Sequence, residues 1–213
     1  MVVAKDNPDG WGVAWWSPDA REPHHYRTTT RMWDDTAFAA AEAPAAAVLS
    51  AVRKASPNTT LDAVNNAPFV AASRVGAIAF SLNGHAYHPS CKPRIVAALE
   101  PNAQLVGDTD SEALFALVRS RIAAGMEPAA AVAAVHHVID PGPDVYVNML
   151  LVSATEIVAT TWHHTLYLHH AHGATTVASE ALDSDSAWTR IPDAHLLVAT
   201  ADDSTITPLE GLR

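Results

Sequence analysis

The chain has little positive charge and a single cysteine, and both features narrow what the protein can do. Thirteen Lys and Arg residues stand against 23 Asp and Glu residues, so the formal net charge of the 213 residues is −10. Nucleic acids and anionic membranes bind basic surfaces, so neither is expected as a partner. The single cysteine, Cys91, cannot form an intrachain disulfide, which fits a reducing cytoplasm.

Long hydrophobic runs are also lacking. No segment reaches the roughly 18 uninterrupted apolar residues of a membrane-spanning helix. The N-terminus arrives at the turn sequence of residues 7–10 without the apolar stretch that a secretory signal carries. Apolar residues still make up 49% of the chain, enough to bury a core. We therefore expect residues 1–213 to form one cytoplasmic domain with a small-molecule partner, and homo-oligomer formation stays open.

Strand-like segments surround a central helical region. A Thr109/Glu112 capping box and Gly125 predict a helix over 107–125, and Pro128 begins a second one over 128–139. An alanine-rich segment predicts a short helix over 34–43. Strands are predicted at 11–16, 24–30, 46–55, 75–82, 145–153, 156–163, 165–170, 175–180, 195–201 and 204–209. Helices grouped between antiparallel strands are typical of a layered α+β fold.

Three short segments carry residues that suit a binding site for an α-amino acid. Arg53 offers a planar donor fork for a carboxylate. Asn83 and Gly84 could supply an amide side chain and a backbone N–H to an oxyanion hole. Asp110 lies at the first turn of a predicted helix, where it could bind a substrate ammonium. The alternatives are that Asn83-Gly84 is a hairpin turn and that Asp110 only caps its helix.

The histidine-rich segment 162–172 raises a second hypothesis, a metal site. On a strand, adjacent residues point to opposite faces, so two histidine pairs would form. No Cys, Asp or Glu completes a tetrahedral set, and we expect histidines in polar positions and no metal. The two faces would carry His163, Tyr167 and His169 on one side and His164 and His170 on the other.

A series of segments resembles class II glutamine amidotransferase domains, which have the N-terminal-nucleophile hydrolase fold. Within that family the chain is most similar to the actinobacterial amidohydrolases of ergothioneine biosynthesis, to which the last segment points. The segments span residues 7 to about 193 and follow in order: "NPDGWGVAWW" with "YR" after it, "MWDD…F", "AVRKA", "APF", "FSLNG", "GDTDSEALFAL", "VNMLLVSATEIVATTW" and "VASEALDSDSAWTRIPD".

The resemblance implies a four-layer αββα sandwich and an activity. The fold would be two antiparallel sheets between helix layers. The reaction would be hydrolysis of a γ-glutamyl amide, that of γ-glutamyl hercynylcysteine S-oxide in the ergothioneine branch, without metal or organic cofactor. The nucleophile would be an N-terminal cysteine whose own α-amine is the base. Arg53 would bind the α-carboxylate of the γ-glutamyl group, Asp110 its α-amine, and Asn83 and Gly84 the oxyanion.

The sequence departs from the family at two places. Residue 2 is Val2, and the cysteine and first strand that precede the "DGWG" segment in the family are missing, which implies an N-terminally truncated domain. Leu82 stands where the family has a histidine. Cys91 could replace the nucleophile only as a pair with His85 or His88, and is otherwise a small apolar filler.

These departures leave three interpretations open. The natural chain could begin upstream with Met-Cys and be the ergothioneine amidohydrolase, inactive only when it lacks that cysteine. It could be a generic class II amidotransferase or glutaminase domain. It could also be a non-catalytic relative that still binds γ-glutamyl compounds.

Overall fold

The described part of the chain consists of short antiparallel strands and three α-helices. The computed structural model describes residues 6–38, 44–56 and 59–209. The helices are α1 (Lys92–Ala98), α2 (Asp110–Ala123) and α3 (Pro128–Ile139). The strands are β1 (Trp11–Trp16), β2 (His24–Thr28), β3 (Ala47–Val52), β4 (Phe69–Ser73), β5 (Gly76–Gly84), β6 (Val147–Val152), β7 (Ile157–Thr160), β8 (Tyr167–Ala171), β9 (Ala174–Ala178), β10 (Thr189–Arg190), β11 (His195–Ala199) and β12 (Ser204–Pro208).

A six-stranded antiparallel sheet is the central layer, with the strand order β12-β11-β7-β6-β5-β4. Strands β5 and β6 lie inside it and pair from Ala79 opposite Val152 to Gly84 opposite Val147. Strand β4 is shorter and reaches only to Phe80 of β5. The end of β5 at Gly84 therefore has a strand neighbour on the β6 side but extends past β4 on the other.

The helices cover one face of this sheet. Helices α2 and α3 pack on its strands, and α1 packs against both helices. The large apolar side chains of α2 that face the sheet are all buried. Burying side chains of this size contributes about 2 kcal/mol each, so this interface is a main source of stability. The core here includes Ile78, Phe80, Met149 and Leu151 of the sheet and Leu114, Phe115, Leu117, Val118 and Ile122 of α2.

Two small sheets cover the opposite face, with the orders β2-β1-β3 and β10-β8-β9. Alternation along β1 places Ala14 and Trp16 in a cluster with Ala79 of the central sheet. Leu168 of β8 packs in a second cluster with Leu197 of β11. Helices, a central sheet and a second sheet layer thus follow one another, which confirms the expected α+β sandwich. That the family's first strand is missing from this chain stays a prediction.

The prediction of a helix over 34–43 is wrong for the residues that the structure describes, 34–38. Residues 34–38 form a turn and irregular chain, and 39–43 lie outside the described residues. The carboxylate of Asp35 accepts hydrogen bonds from Trp11 Nε1 at 3.0 Å and Tyr26 OH at 2.9 Å, and from Ala37 N at 2.9 Å. Fixing Asp35 to these aromatic donors stabilises the turn more than alanine propensity stabilises a helix.

The capping box of α2 is only half formed. Thr109 Oγ1 accepts a hydrogen bond from Glu112 N at 3.3 Å, as predicted. The Glu112 carboxylate instead accepts from Val106 N at 2.8 Å and Gly107 N at 2.7 Å, and so holds the loop that leads into the helix. No helix in the part of the chain that is described has the length and apolarity needed to cross a membrane.

Candidate active site

A cavity of about 250 Å³ lies where β5 ends, between the end of β3 and the N-terminus of α2. Its lining includes all four residues that the sequence singled out: Arg53, Asn83, Gly84 and Asp110. They come from three different parts of the fold, namely the residue after β3, the last two residues of β5 and the first residue of α2. The fold therefore brings the predicted site residues together.

Asn83 and Gly84 are the end of a paired strand and not a hairpin turn. Gly84 has a φ of +134°, and a Cβ there would collide with the backbone oxygen of Tyr146, so the position requires glycine. His85 N donates to that same oxygen at 3.0 Å. Because N–H groups alternate along a strand, the Gly84 N–H points away from β6. It therefore points to the side on which β4 has already ended.

Asp110 holds the segment that follows β5. Its Oδ2 accepts hydrogen bonds from Ala86 N at 2.6 Å and Tyr87 N at 3.3 Å, and its Oδ1 accepts from Ser111 N at 2.8 Å. His85 Nδ1 lies 3.4 Å from Oδ2. The side chain is largely buried. Asp110 therefore accepts from the first turn of its helix and also fixes the cavity wall, while its negative charge lies at the cavity.

Arg53 is half-buried and bound to the backbone of the chain entering β1. Its N donates to Gly10 O at 2.9 Å. Its guanidinium makes three long contacts, from Nη1 to Asn66 Oδ1 and Thr60 O at 3.3 Å each and from Nη2 to Thr59 Oγ1 at 3.4 Å. A guanidinium has five N–H donors, so these contacts leave capacity for a carboxylate ligand.

The charges around Arg53 keep the guanidinium positive. Burial lowers the pKa of Arg53 from its ordinary value, whereas the carboxylates of Asp9, Asp108 and Asp110 raise it. Arginine stays protonated in proteins at neutral pH. The cavity thus contains a cation from Arg53 and an anion from Asp110, the combination that complements a zwitterionic α-amino acid.

The sequence reasoning missed Asn65, which is 4% exposed and lines the cavity. Its Nδ2 donates to Asp108 Oδ1 at 2.8 Å and to Thr60 O at 3.0 Å, and its Oδ1 accepts from Asp108 N at 3.1 Å. Hydrogen bonds from Thr60 lower the pKa of Asp108. Asn65 thereby joins the loop beside Arg53 to the loop before α2. The only hint in the sequence was the pair of side-chain amides, Asn65 and Asn66, just before Ala67–Pro68.

Cys91 is not placed to act as the nucleophile. It is fully buried, packs in the core with α1, α2 and α3, and does not line the cavity. His88 Nδ1 makes a 2.7 Å hydrogen bond with Ser90 Oγ, and His85 lies against Asp110. Ser90 Oγ, which lies 3.4 Å from Cys91 Sγ, stands between the sulfur and His88, so among the described residues Cys91 has no direct histidine contact. Its burial away from the cavity supports the filler interpretation.

The prediction of two shared histidine faces over 162–172 is wrong. Strand β8 begins only at Tyr167, so His163 and His164 lie in the preceding loop. His163 has a φ of +63°, which breaks the strand alternation on which the prediction depended. No group of three potential metal ligands occurs among the residues of 6–38, 44–56 and 59–209. His164 instead lines the cavity.

Comparison with known proteins identifies the family that this chain resembles. Residues 2–171 match the family model of the class II glutamine amidotransferases. The chain is similar to the gamma-glutamyl-hercynylcysteine sulfoxide hydrolase of Mycobacterium tuberculosis strain CDC 1551, with 30% identity over 96% of this chain and 80% of that protein. It is 32% identical to the hydrolase of the same name from Mycolicibacterium smegmatis, over 95% of this chain and 82% of that protein.

Solved structures agree on the fold. A class II glutamine amidotransferase domain protein from Silicibacter pomeroyi superposes with a TM-score of 0.68 and 21% identity, covering 93% of this chain and 90% of that one. The glutamine phosphoribosylpyrophosphate amidotransferase of Bacillus subtilis gives a TM-score of 0.77 at 13% identity, covering 97% of this chain and 44% of that one. The matched family model and the two curated relatives show that this chain belongs to the class II glutamine amidotransferases.

Proposed function

We propose that the natural protein hydrolyses the γ-glutamyl amide of γ-glutamyl hercynylcysteine S-oxide and releases glutamate in ergothioneine biosynthesis. The observation that carries this proposal is the meeting of Arg53, Asn83, Gly84 and Asp110 on one cavity. The curated relatives named above support the substrate. The substrate is a small molecule of the cytoplasm, and the 213 residues act as one domain without metal or organic cofactor.

Each of the four residues has a role in this proposal. Arg53 pairs with the α-carboxylate of the γ-glutamyl group, since a guanidinium fork matches a carboxylate. Asp110 accepts from the α-ammonium. The Asn83 side-chain amide and the Gly84 N–H donate to the oxyanion that forms when the amide carbonyl is attacked. The Gly84 N–H is already fixed by the backbone of β5 and needs no reorganisation during the reaction, which is where its catalytic advantage lies.

The proposed nucleophile is a cysteine at the N-terminus of the natural chain. Asn7 lines the cavity, and Asp9 N donates to Arg53 O at 3.0 Å. The chain that enters β1 therefore passes along the cavity at Asn7, which supports a nucleophile that precedes this segment in the natural chain. The cysteine sulfur would attack the carbonyl carbon as the α-amine takes the thiol proton and passes it to the leaving amine. Water would then hydrolyse the thioester, releasing glutamate and restoring the thiol.

The test uses the full natural chain purified from its native host. It is incubated separately with γ-glutamyl hercynylcysteine S-oxide and with L-glutamine, and released glutamate is measured. A kcat/KM far higher for the S-oxide supports the proposal. A higher value for glutamine indicates a generic glutaminase domain. Glutamate binding by calorimetry without hydrolysis of either compound indicates a non-catalytic relative.

A further inference from the structure

His164 reaches the cavity from a side that the four site residues leave open. Arg53 comes from the end of β3, and Asp110 comes from the helix layer. His164 belongs to the loop between β7 and β8, on the β6 side of Gly84, where Trp162 O accepts from Val147 N at 3.0 Å. If the γ-glutamyl head group lies between Arg53 and Asp110, the wall beyond Gly84 faces the leaving group.

The loop that carries His164 is fixed by a buried amide. Asn148 is 3% exposed and lies opposite Asn83 in the β5–β6 pairing. Its Nδ2 donates to His164 O and Thr165 O at 3.1 Å each, and its Oδ1 accepts from Trp162 N at 2.8 Å. Three hydrogen bonds to one buried side chain couple the position of this loop to the end of β5.

The residue before His164 has an unfavourable backbone conformation. His163 has a φ of +63°, a region that costs a residue with a Cβ about 1 kcal/mol or more. Its N donates to Asp193 Oδ1 at 2.7 Å, and its ring stacks on Trp162 at a centroid distance of 5.2 Å. Such a conformation persists only where its surroundings enforce it, and such residues concentrate at functional sites. Here it orients the next side chain, His164, toward the cavity.

The ring of His164 presents a flat, uncharged surface. Its centroid lies 5.3 Å from that of Tyr146, with the planes at 54°. Burial lowers the pKa of His164, and the neighbouring His163 lowers it further, so the imidazole is neutral at neutral pH. Leu82 adds an apolar side chain to the lining of the same cavity. Neutral aromatic and apolar groups favour a flat ring over an anion.

We infer that His164, supported by Tyr146, determines specificity by contacting a flat aromatic ring on the amine that leaves. The inference rests on the proposed function, because it assigns the leaving-group side of the same site. An unsubstituted amide, which releases only ammonia, has no group that reaches His164.

The experiment compares two probes on the full natural chain. L-γ-Glutamyl-p-nitroanilide carries an aryl leaving group and L-glutamine carries none. The readout is the ratio of kcat/KM for the anilide to kcat/KM for glutamine. Loss of one aromatic contact, worth about 0.5–1.5 kcal/mol, should lower this ratio by about two- to tenfold in His164→Ala. His164→Phe, which keeps a flat ring, should hold the ratio within about threefold.

The matched control is His170→Ala, an exposed histidine on β8 whose Nε2 contacts Ser204 Oγ at 3.1 Å and which does not line the cavity. Its ratio should equal that of the parent protein. An unchanged ratio in His164→Ala, or an equal fall in His164→Phe, overturns the inference while the proposed function stands. A parent protein that cleaves γ-glutamyl hercynylcysteine S-oxide but not the anilide overturns the inference alone. A parent protein that cleaves none of the three compounds overturns the proposed function as well.

Discussion

Replacing Asp110 by asparagine should destabilise the protein although the side chain keeps its size. Both carboxylate oxygens accept from backbone N–H groups, Oδ2 from Ala86 and Tyr87 and Oδ1 from Ser111. An asparagine has one oxygen and one NH₂, so in either orientation the NH₂ meets an N–H donor. The change thus leaves at least one backbone N–H without its acceptor.

The size of the effect follows from these contacts. A hydrogen bond to a charged group contributes about 1.5–3 kcal/mol, and loss of a negative charge from the first turn of α2 removes about 0.3–1 kcal/mol more. We expect the free energy of unfolding of Asp110→Asn to fall by about 2–4 kcal/mol. Domains are typically stable by only about 5–15 kcal/mol, so this is a large loss.

Equilibrium urea unfolding followed by tryptophan fluorescence measures this change. Asp202→Asn is the matched control, because Asp202 is an exposed surface carboxylate and its variant should stay within about 0.5 kcal/mol of the parent protein. A loss below about 0.5 kcal/mol in Asp110→Asn would refute the claim that Asp110 fixes the segment after β5.

Three further changes test the site and its surroundings. Arg53→Ala should raise the Kd for glutamate, measured by calorimetry, at least about tenfold, whereas the exposed control Arg190→Ala should leave it unchanged. If Arg53→Ala binds glutamate as tightly as the parent protein, Arg53 does not bind the carboxylate. Gly84→Ala should lower the free energy of unfolding by at least about 2 kcal/mol, since its Cβ meets the Tyr146 backbone, and a stability equal to the parent's would contradict that contact. Burial lowers the pKa of His136 to about 4. An unfolded histidine binds its proton near pH 6.5, so stability is retained above pH 6.5 and falls as the pH drops toward 4, by up to about 3 kcal/mol. His136→Phe should flatten this part of the stability–pH curve, and an unchanged slope would count against the burial effect.

The elements that sequence reasoning predicted best are those with several independent signals. Helix α2 combines Thr109 before its first turn, a buried apolar stripe and Gly125 after its end. Helix α1 was missed because it has seven residues and no side-chain cap at Cys91. The helix over 34–43 failed since alanine propensity cannot reveal that Asp35 binds two aromatic donors distant from it in sequence.

The residues of the candidate site also differ in how far the sequence could predict them. Arg53, Asn83, Gly84 and Asp110 were singled out by their donor and acceptor chemistry and by the resemblance to the family, and they line one cavity, while their roles stay predictions. Asn65 and His164 could not be predicted, because their places depend on loop geometry. The positive φ of His163 is one such feature, since non-glycine residues rarely adopt it and no local pattern announced it.

The central claim is that this site works with a cysteine at the N-terminus of the natural chain. The most direct test is the intact mass and N-terminal sequence of the protein purified from its native host. We expect a chain that begins with cysteine, upstream of Met1. A mature chain that begins at Met1 or Val2 would contradict the hydrolase mechanism and leave a pocket that binds γ-glutamyl compounds without cleaving them.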